Sequence, residues 1–178
     1  MGTKKTQGLI SVLTGNGKGK TTAALGIALR AAGHGMRVLI LQFMKKRTDI
    51  GEIKGLERTD LPIAVKQFGR RVFFKTRTCE AMDIHMAQQG LEAFRKAMMS
   101  GVYELIILDE INMALDFQLL EIEEVMEAIE EKPVELHLVL TGRNAKKEIL
   151  DIADCVTEMK EINHHYNKGI QAQKGMEY

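Results

Sequence analysis

One stretch limits this chain more than any other: Thr14-Gly15-Asn16-Gly17-Lys18-Gly19-Lys20-Thr21-Thr22, set between an apolar run and a segment rich in Ala and Leu. It follows the GxxxxGK[ST] pattern of a phosphate-binding loop, with Thr14 where the first glycine is expected. Gly15, Gly17 and Gly19 let successive backbone N–H groups turn toward one anion, and the start of the following helix adds partial positive charge. Lys20 then brings a point charge to a terminal phosphate, and the Thr21 hydroxyl is suited to ligate Mg²⁺. Lys18 places a second cation in the loop, which calls for an anion beside it. A glycine-rich turn without a ligand is the bland alternative, and the strand–loop–helix setting argues against it.

The rest of the chain repeats that alternation. Residues 8–13 read as a strand and 21–32 as a helix that stops near Gly33 and Gly35. Residues 37–43 and 104–109, with Val-Leu-Ile-Leu and Leu-Ile-Ile-Leu, read as strands buried on both faces. Between them, 80–99 puts Ala87, Leu91, Phe94 and Met98 on one helical face. Ile122, Val125, Met126 and Ile129 mark a further helix that Pro133 stops. Residues 134–141 and 155–159 complete the strands, with a short helix over 145–152. Segment 45–77 mixes charge with Gly51, Gly55 and Gly69 and reads as an irregular excursion containing one strand-like run, 63–68. From Lys160 onward the periodicity is weak, as in a packed tail.

Strands separated by helices imply βαβ units, hence a mostly parallel sheet covered on both faces and a single α/β domain over residues 1–178. With the loop, this predicts the P-loop NTPase (RecA-like) fold class. Ligands on such sheets lie at the carboxyl ends of strands.

Leu105-Ile106-Ile107-Leu108 ends in Asp109-Glu110, the place where P-loop proteins hold Mg²⁺. Thr141-Gly142-Arg143-Asn144 ends another strand on the same edge. Arg143 reads equally as a phosphate contact or as an ordinary surface residue. Asp83-Ile84-His85 has the start of a cobalt-binding D-x-H-x-x-G loop, but Gln88 stands at the glycine position and the stretch reads as helix. His164-His165 is no zinc pair on an extended chain, where neighbours point opposite ways and no third ligand is suitably spaced.

Charge narrows the partners. Twenty-five Lys and Arg balance 24 Asp and Glu, against a general nucleic-acid or membrane-surface binder. No apolar run approaches the ~18–20 residues that span a bilayer. Cys79 and Cys155 make no CxxC pair and fit a reducing, cytoplasmic setting, and the polar first seven residues lead into no signal-peptide core. The 11 Met read as core filling.

Several of these stretches together resemble the P-loop type of ATP:corrinoid adenosyltransferase. They are the loop at 14–22 with the Ala-Ala-x-Gly after it, Gly33-His34-Gly35-Met36-Arg37-Val38, and Gln42-Phe43-Met44-Lys45. Leu108-Asp109-Glu110, Thr141-Gly142-Arg143, Ala153-Asp154 and Val156-Thr157-Glu158-Met159 are similar too. So is the tail His164-x-Tyr166-x-x-Gly169-x-x-Ala172-Gln173-x-Gly175-x-x-Tyr178, which generic P-loop proteins lack.

The resemblance implies transfer of the 5′-deoxyadenosyl group of ATP to Co(I) of a corrinoid, with release of triphosphate. It implies that Asn16, Gly17, Lys18, Gly19, Lys20, Thr21 and Thr22 hold the triphosphate, with Lys20 and Thr21 central, and Gly15, Lys45 and Arg143 count with them among the binding residues. Lys20 and Glu110 take the catalytic roles, and Thr21, Asp109 and Glu110 serve Mg²⁺. His164 falls near the nucleoside or the corrin. The nucleotide lies reversed relative to kinases, so that C5′ faces cobalt. A homodimer and a flavoprotein reductant are further implications.

Two departures stand out. Seven residues precede the first expected strand, where many family members carry a long N-terminal arm, and the family's frequent Gly-Phe-x-Trp stretch is Gly69-Arg70-Arg71-Val72-Phe73-Phe74 here. Phe73 or Phe74 would exclude the lower ligand of cobalt while Arg70 and Arg71 meet corrin side chains, or these are core phenylalanines beside a surface basic pair. The rivals are a nucleoside or small-molecule kinase, for which no Arg-bearing lid is visible, and a RecA-like switch ATPase acting on nucleic acid or a protein partner, with Lys45-Lys46-Arg47 and Arg70-Arg71 as its basic surface.

Overall fold

The computed structural model describes residues 7–47, 49–70 and 79–177. Strands β1 (Ile10–Thr14), β2 (Val38–Phe43), β3 (Ile63–Phe68), β4 (Leu105–Asp109), β5 (His137–Thr141) and β6 (Cys155–Glu158) form one sheet in the order β3-β2-β4-β5-β1-β6. Every pairing is parallel. Helices α1 (Lys20–Gly33), α2 (Gly51–Leu56), α3 (Ala81–Met99), α4 (Ile111–Asp116), α5 (Ile122–Glu130) and α6 (Lys147–Asp151) connect or flank the strands.

The apolar runs explain the layering. β2 and β4 are buried at every position because both of their faces are covered. Leu39, Leu41, Phe43, Ile106 and Leu108 turn to one face, where they meet Leu91 and Phe94 of α3, Ala114 of α4, Val125 of α5 and Ile149 of α6. Val38, Ile40, Leu105 and Ile107 alternate to the other, against Ala24, Ala28 and Ala32 of α1. Alanine at every fourth position brings α1 close to the sheet. Each fully buried large aliphatic side chain contributes about 1.5–3 kcal/mol, so the centre of the sheet is its most firmly held part.

The helices with strong periodicity lie where the pattern places them, to within a residue or two. A capping box between Glu80 and Asp83 opens α3, so Asp83 belongs to a helix start, in keeping with the rejected cobalt-loop reading. Three features differ from expectation. The described part of segment 45–77 is more regular than its composition suggests: the unexpected α2 precedes β3, which is the expected strand-like run 63–68 and pairs with β2 along all six of its residues. As an edge strand β3 is only partly buried, which weakens its hydropathy signal. The short helix α4 was not marked by any apolar period and begins directly after Glu110. In the tail, extended His164 caps with its side chain a 3₁₀ turn over His165–Lys168, so the chain is not extended through both histidines and the two imidazoles stack with centroids 4.4 Å apart.

The chain leaves β1 through the glycine-rich loop, passes into α1 and enters the sheet again at β2, beyond β5 and β4. The carboxyl ends of β1, β2, β4 and β5 therefore share one edge, and the candidate residues collect there.

Candidate active site

Thr14 is the last residue of β1 and pairs in register with Glu158 of β6. That explains its tolerance in the first glycine position: the backbone there is still extended, and the turn begins only at Gly15, whose φ is 91°. The Thr14 hydroxyl accepts from the Ala145 N–H at 3.3 Å, which ties the loop after β5 to the phosphate loop.

Gly15 and Gly17 are required for a second reason. A Cβ at Gly15 would lie 2.5 Å from the Met159 carbonyl oxygen, and one at Gly17 would lie 2.7 Å from the same atom. The loop is pressed against the chain leaving β6, and the Gly17 N–H donates to the Met159 carbonyl at 2.7 Å. Gly19 caps α1 with φ 112° and offers no side-chain cap, so the first-turn N–H groups at Lys20, Thr21 and Thr22 face outward without an intrahelical acceptor. Asn16 and Thr22 are exposed at the mouth.

Lys20 is buried, and its ammonium donates to the Gly15 and Gly17 carbonyls, each at 2.7 Å. Burial and then the positive charge of Arg143 lower its pKa, against the opposing pull of Glu110 and Asp109. Arg143 itself is exposed, yet near enough to act on both Lys20 and Glu110 electrostatically.

Asp109 is the hub. Its Oδ1 accepts from the Thr21 hydroxyl at 3.0 Å and the Thr141 hydroxyl at 2.7 Å. Its Oδ2 accepts from the Gln42 amide at 3.0 Å and the Lys45 ammonium at 2.8 Å. Burial opposes its ionisation, but Lys45, Thr141 and Gln42 outweigh that and hold its pKa below the usual carboxylate value. For Lys45 burial pulls downward, and the charges of Asp109 and Glu110 more than compensate, leaving its pKa raised.

Glu110 takes a left-handed backbone, φ 65°, at the turn from β4 into α4, and its N–H donates to the Thr141 hydroxyl at 3.0 Å. Met44, just before Lys45, is left-handed as well, with φ 57°. Such conformations in non-glycine residues are sparse and collect at functional sites. Burial pushes the Glu110 pKa up; Lys45 opposes this and the neighbouring Asp109 reinforces it.

Gln42 and Thr141 were missed as site residues by reasoning from charge and motif. The signal was present: each is the polar last or next-to-last residue of an apolar strand, in the same layer as Asp109, and Gln42 pairs with Asp109 in register.

The remaining candidates separate from this cluster. Lys18 turns away from the Lys20 side of the loop, donating to the Met176 carbonyl at 2.7 Å and pairing with the Glu177 carboxylate. His165 lies 3.7 Å from the same carboxylate, which brings the stacked His164 into the neighbourhood of the loop through the tail. Arg70 pairs with Asp83, at 2.6 and 2.7 Å, and with Glu80 at 2.8 Å. Phe73, Phe74 and Arg71 lie outside the described residues.

Thr21, Asp109 and Glu110 present hydroxyl and carboxylate oxygens, the donor type Mg²⁺ takes. Among the described residues no group of three His, Cys, Asp or Glu side chains is placed to hold a metal ion. A set of this size fits an ion that is shared with phosphate oxygens.

A parallel α/β sheet with a phosphate loop after β1, and an aspartate at the end of β4 bonded to the loop's threonine, defines a RecA-like P-loop nucleotide-binding protein. The KaiC-like protein PH0186 of Pyrococcus horikoshii OT3 is similar in fold, with a TM-score of 0.56 over 88% of this chain and 74% of that one at 17% identity. The family model for ATP:corrinoid adenosyltransferase BtuR/CobO/CobP matches residues 6–178. A corrinoid adenosyltransferase of Sinorhizobium sp is 39% identical over 97% of this chain and 81% of its own length. The Salmonella typhimurium corrinoid adenosyltransferase CobA is 35% identical over 97% and 86%, respectively. The chain belongs to the ATP:corrinoid adenosyltransferase family, enzymes that adenosylate corrinoids with ATP.

Proposed function

We propose that this chain carries the 5′-deoxyadenosyl group of ATP to Co(I) of a reduced corrinoid and releases triphosphate intact. The observation that carries this reading is the concentration of cationic and N–H donors on the phosphate side of the site: Lys20 over the loop, the start of α1, and Arg143 close by. The electron pair of Co(I) forms the cobalt–carbon bond to C5′ as the C5′–O bond breaks, and the bonding pair leaves on the triphosphate oxygen. No proton has to be removed, so no general base is needed. What the protein must supply is in-line placement and donors for the charge that develops on the leaving group.

In this reading, Lys20 and the backbone N–H groups of Gly15, Asn16, Gly19, Thr21 and Thr22 receive that charge, while Gly17, whose N–H is taken by the Met159 carbonyl, shapes the loop. Thr21, Asp109 and Glu110 hold Mg²⁺, which supplies neutralising charge to the triphosphate when bound. His164 and the tail border the nucleoside or the corrin, and Phe73 or Phe74 faces cobalt. A cytoplasmic homodimer with a flavoprotein reductant completes the proposal.

Product analysis tests it. Protein, Mg²⁺, ATP and chemically reduced corrinoid, incubated without oxygen, are expected to yield triphosphate and a light-sensitive cobalt–carbon product in equal amounts. ADP and phosphate in proportion to turnover, with an unchanged corrin spectrum, would point to a kinase or switch ATPase instead.

A further inference from the structure

Asp109 accepts four hydrogen bonds, two on each oxygen. A carboxylate has about four lone-pair sites, so this one is full. No metal ion can enter its coordination without displacing a donor. Three of the four donors sit on regular elements: Gln42 on β2, Thr141 on β5 and Thr21 on α1. Lys45 alone lies beyond a strand end, on a flexible stem with four methylenes.

Its ammonium is also more widely engaged than the others. It lies 2.8 Å from Asp109 Oδ2, 3.1 Å from Thr21 Oγ1 and 3.8 Å from Glu110 Oε1. These are the oxygens of every residue whose donor chemistry fits Mg²⁺. A single positive charge, carried by the chain itself, is therefore seated among them.

We propose that Lys45 is a tethered counter-cation: it neutralises and orients the Thr21–Asp109–Glu110 oxygens, and a divalent ion arriving with nucleotide takes its place. The inference rests on the reading of the site as a metal–nucleotide site. Lys45 thereby sets the metal requirement. Without nucleotide the ammonium keeps the ion out; with nucleotide the phosphate oxygens add enough ligands to tip the exchange.

The Gln42 side chain extends this arrangement outward. Its Oε1 accepts from Gln67 at 2.8 Å, and Gln67 in turn bonds the Arg47 backbone N–H at 2.9 Å and carbonyl at 3.1 Å. The stretch carrying Lys45 is thus tethered on both sides of the lysine, at the end of β2 and at Arg47. The exchange asks for movement of the side chain, not of the backbone.

Mn²⁺, read by electron paramagnetic resonance on nucleotide-free protein, is the probe. Lys45→Met and Lys45→Gln are expected to bind Mn²⁺ about tenfold or more tightly than the parent, because Asp109 and Glu110 lose their resident charge. Lys45→Arg, which keeps the charge, is expected to stay at the parent's affinity. Lys45→Gln retains hydrogen-bonding capacity toward Asp109 and guards against a folding failure of the Met variant. In parallel, Mg²⁺ without nucleotide is expected to raise the Tm of the neutral variants and leave the parent's unchanged.

Unchanged or weaker Mn²⁺ binding in the folded neutral variants overturns the proposal. If the parent takes up no Mn²⁺ even with ATP present, the metal–nucleotide premise fails and the proposal falls with it. Adenosyl transfer, read separately from the corrin spectrum, then tells whether the enzymatic reading survives without that premise.

Discussion

Lys18 and Lys20 stand two residues apart in one loop and belong to different worlds. Lys20 is buried, held by loop carbonyls, and close to an aspartate fixed from two neighbouring strands and a helix. Lys18 is half exposed and answers to Glu177, at the far end of the chain, in a tail whose only regular piece among the described residues is a single 3₁₀ turn. The difference separates two ways of placing charge. Strand ends in a parallel sheet deliver side chains with the precision of the register, whereas the tail delivers its carboxylate through contacts that solvent screens.

The largest effect that would probe this contrast is expected at Lys20. Lys20→Ala is expected to lower kcat on a reduced corrinoid by about 10²–10³-fold, the usual cost of removing one donor from developing charge. Circular dichroism should show the fold intact. A near-normal kcat would place the work of charge stabilisation elsewhere, and Lys18 would be the first residue to revisit.

The two neighbouring acids should respond in opposite directions. Asp109→Asn leaves Lys45 without its main counter-charge in a buried site and is expected to cost about 3–5 kcal/mol of stability by denaturant titration. Its folded pKa is depressed, so the stability it brings is present above the unfolded value and is lost as pH falls through the folded one. The acid limb of the Tm–pH curve should accordingly be flattened in the variant. Glu110 has a raised folded pKa, so its contribution is present below the unfolded value and is lost as pH rises through the folded one. Glu110→Gln is therefore expected to raise the Tm of nucleotide-free protein at neutral pH, while turnover falls or the Mg²⁺ requirement climbs. If both variants destabilise equally, the two carboxylates act as one structural pair.

The smallest effect belongs to the tail. Glu177→Gln is expected to change the KM for ATP by less than about tenfold, with kcat nearly unaltered, and the difference should shrink as salt rises. A large, salt-insensitive loss of kcat would make the tail part of the reacting centre and erase the contrast with Lys20.

What could be read in advance follows the same division. β2 and β4 announce themselves because burial on both faces leaves an unbroken apolar run, and Asp109 is conspicuous as the charge that ends one. Gln42 and Thr141 close the apolar runs of β2 and β5 at the same level but are neutral, so their place in the quoted motifs does not mark them as site residues although they hold the same carboxylate. β3 is legible as the strand-like run 63–68 even though an edge strand needs little burial, whereas α2 and α4 are not, because a six-residue helix completes less than two turns. The partnership of Lys18 with Glu177 spans 159 positions, and nothing in local pattern links residues so distant. The stacking of His164 on His165 depended on a turn that weak periodicity does not reveal.

The bond from the Gly17 N–H to the Met159 carbonyl, together with that from the Met159 N–H to the Thr14 carbonyl, joins the phosphate loop to the exit of β6. All four residues of β6 are exposed and it borders only β1, so it is the strand of this sheet most open to local unfolding. Fraying of β6 releases the loop's own backbone, and with it the grip on phosphate that the proposed function assigns to the loop. Conversely, nucleotide at a hundred times its Kd adds about 2.7 kcal/mol to every state that keeps the loop formed. That free energy should surface as slowed amide hydrogen exchange across Cys155–Glu158, at a margin of the sheet remote from α3 and the buried core it covers.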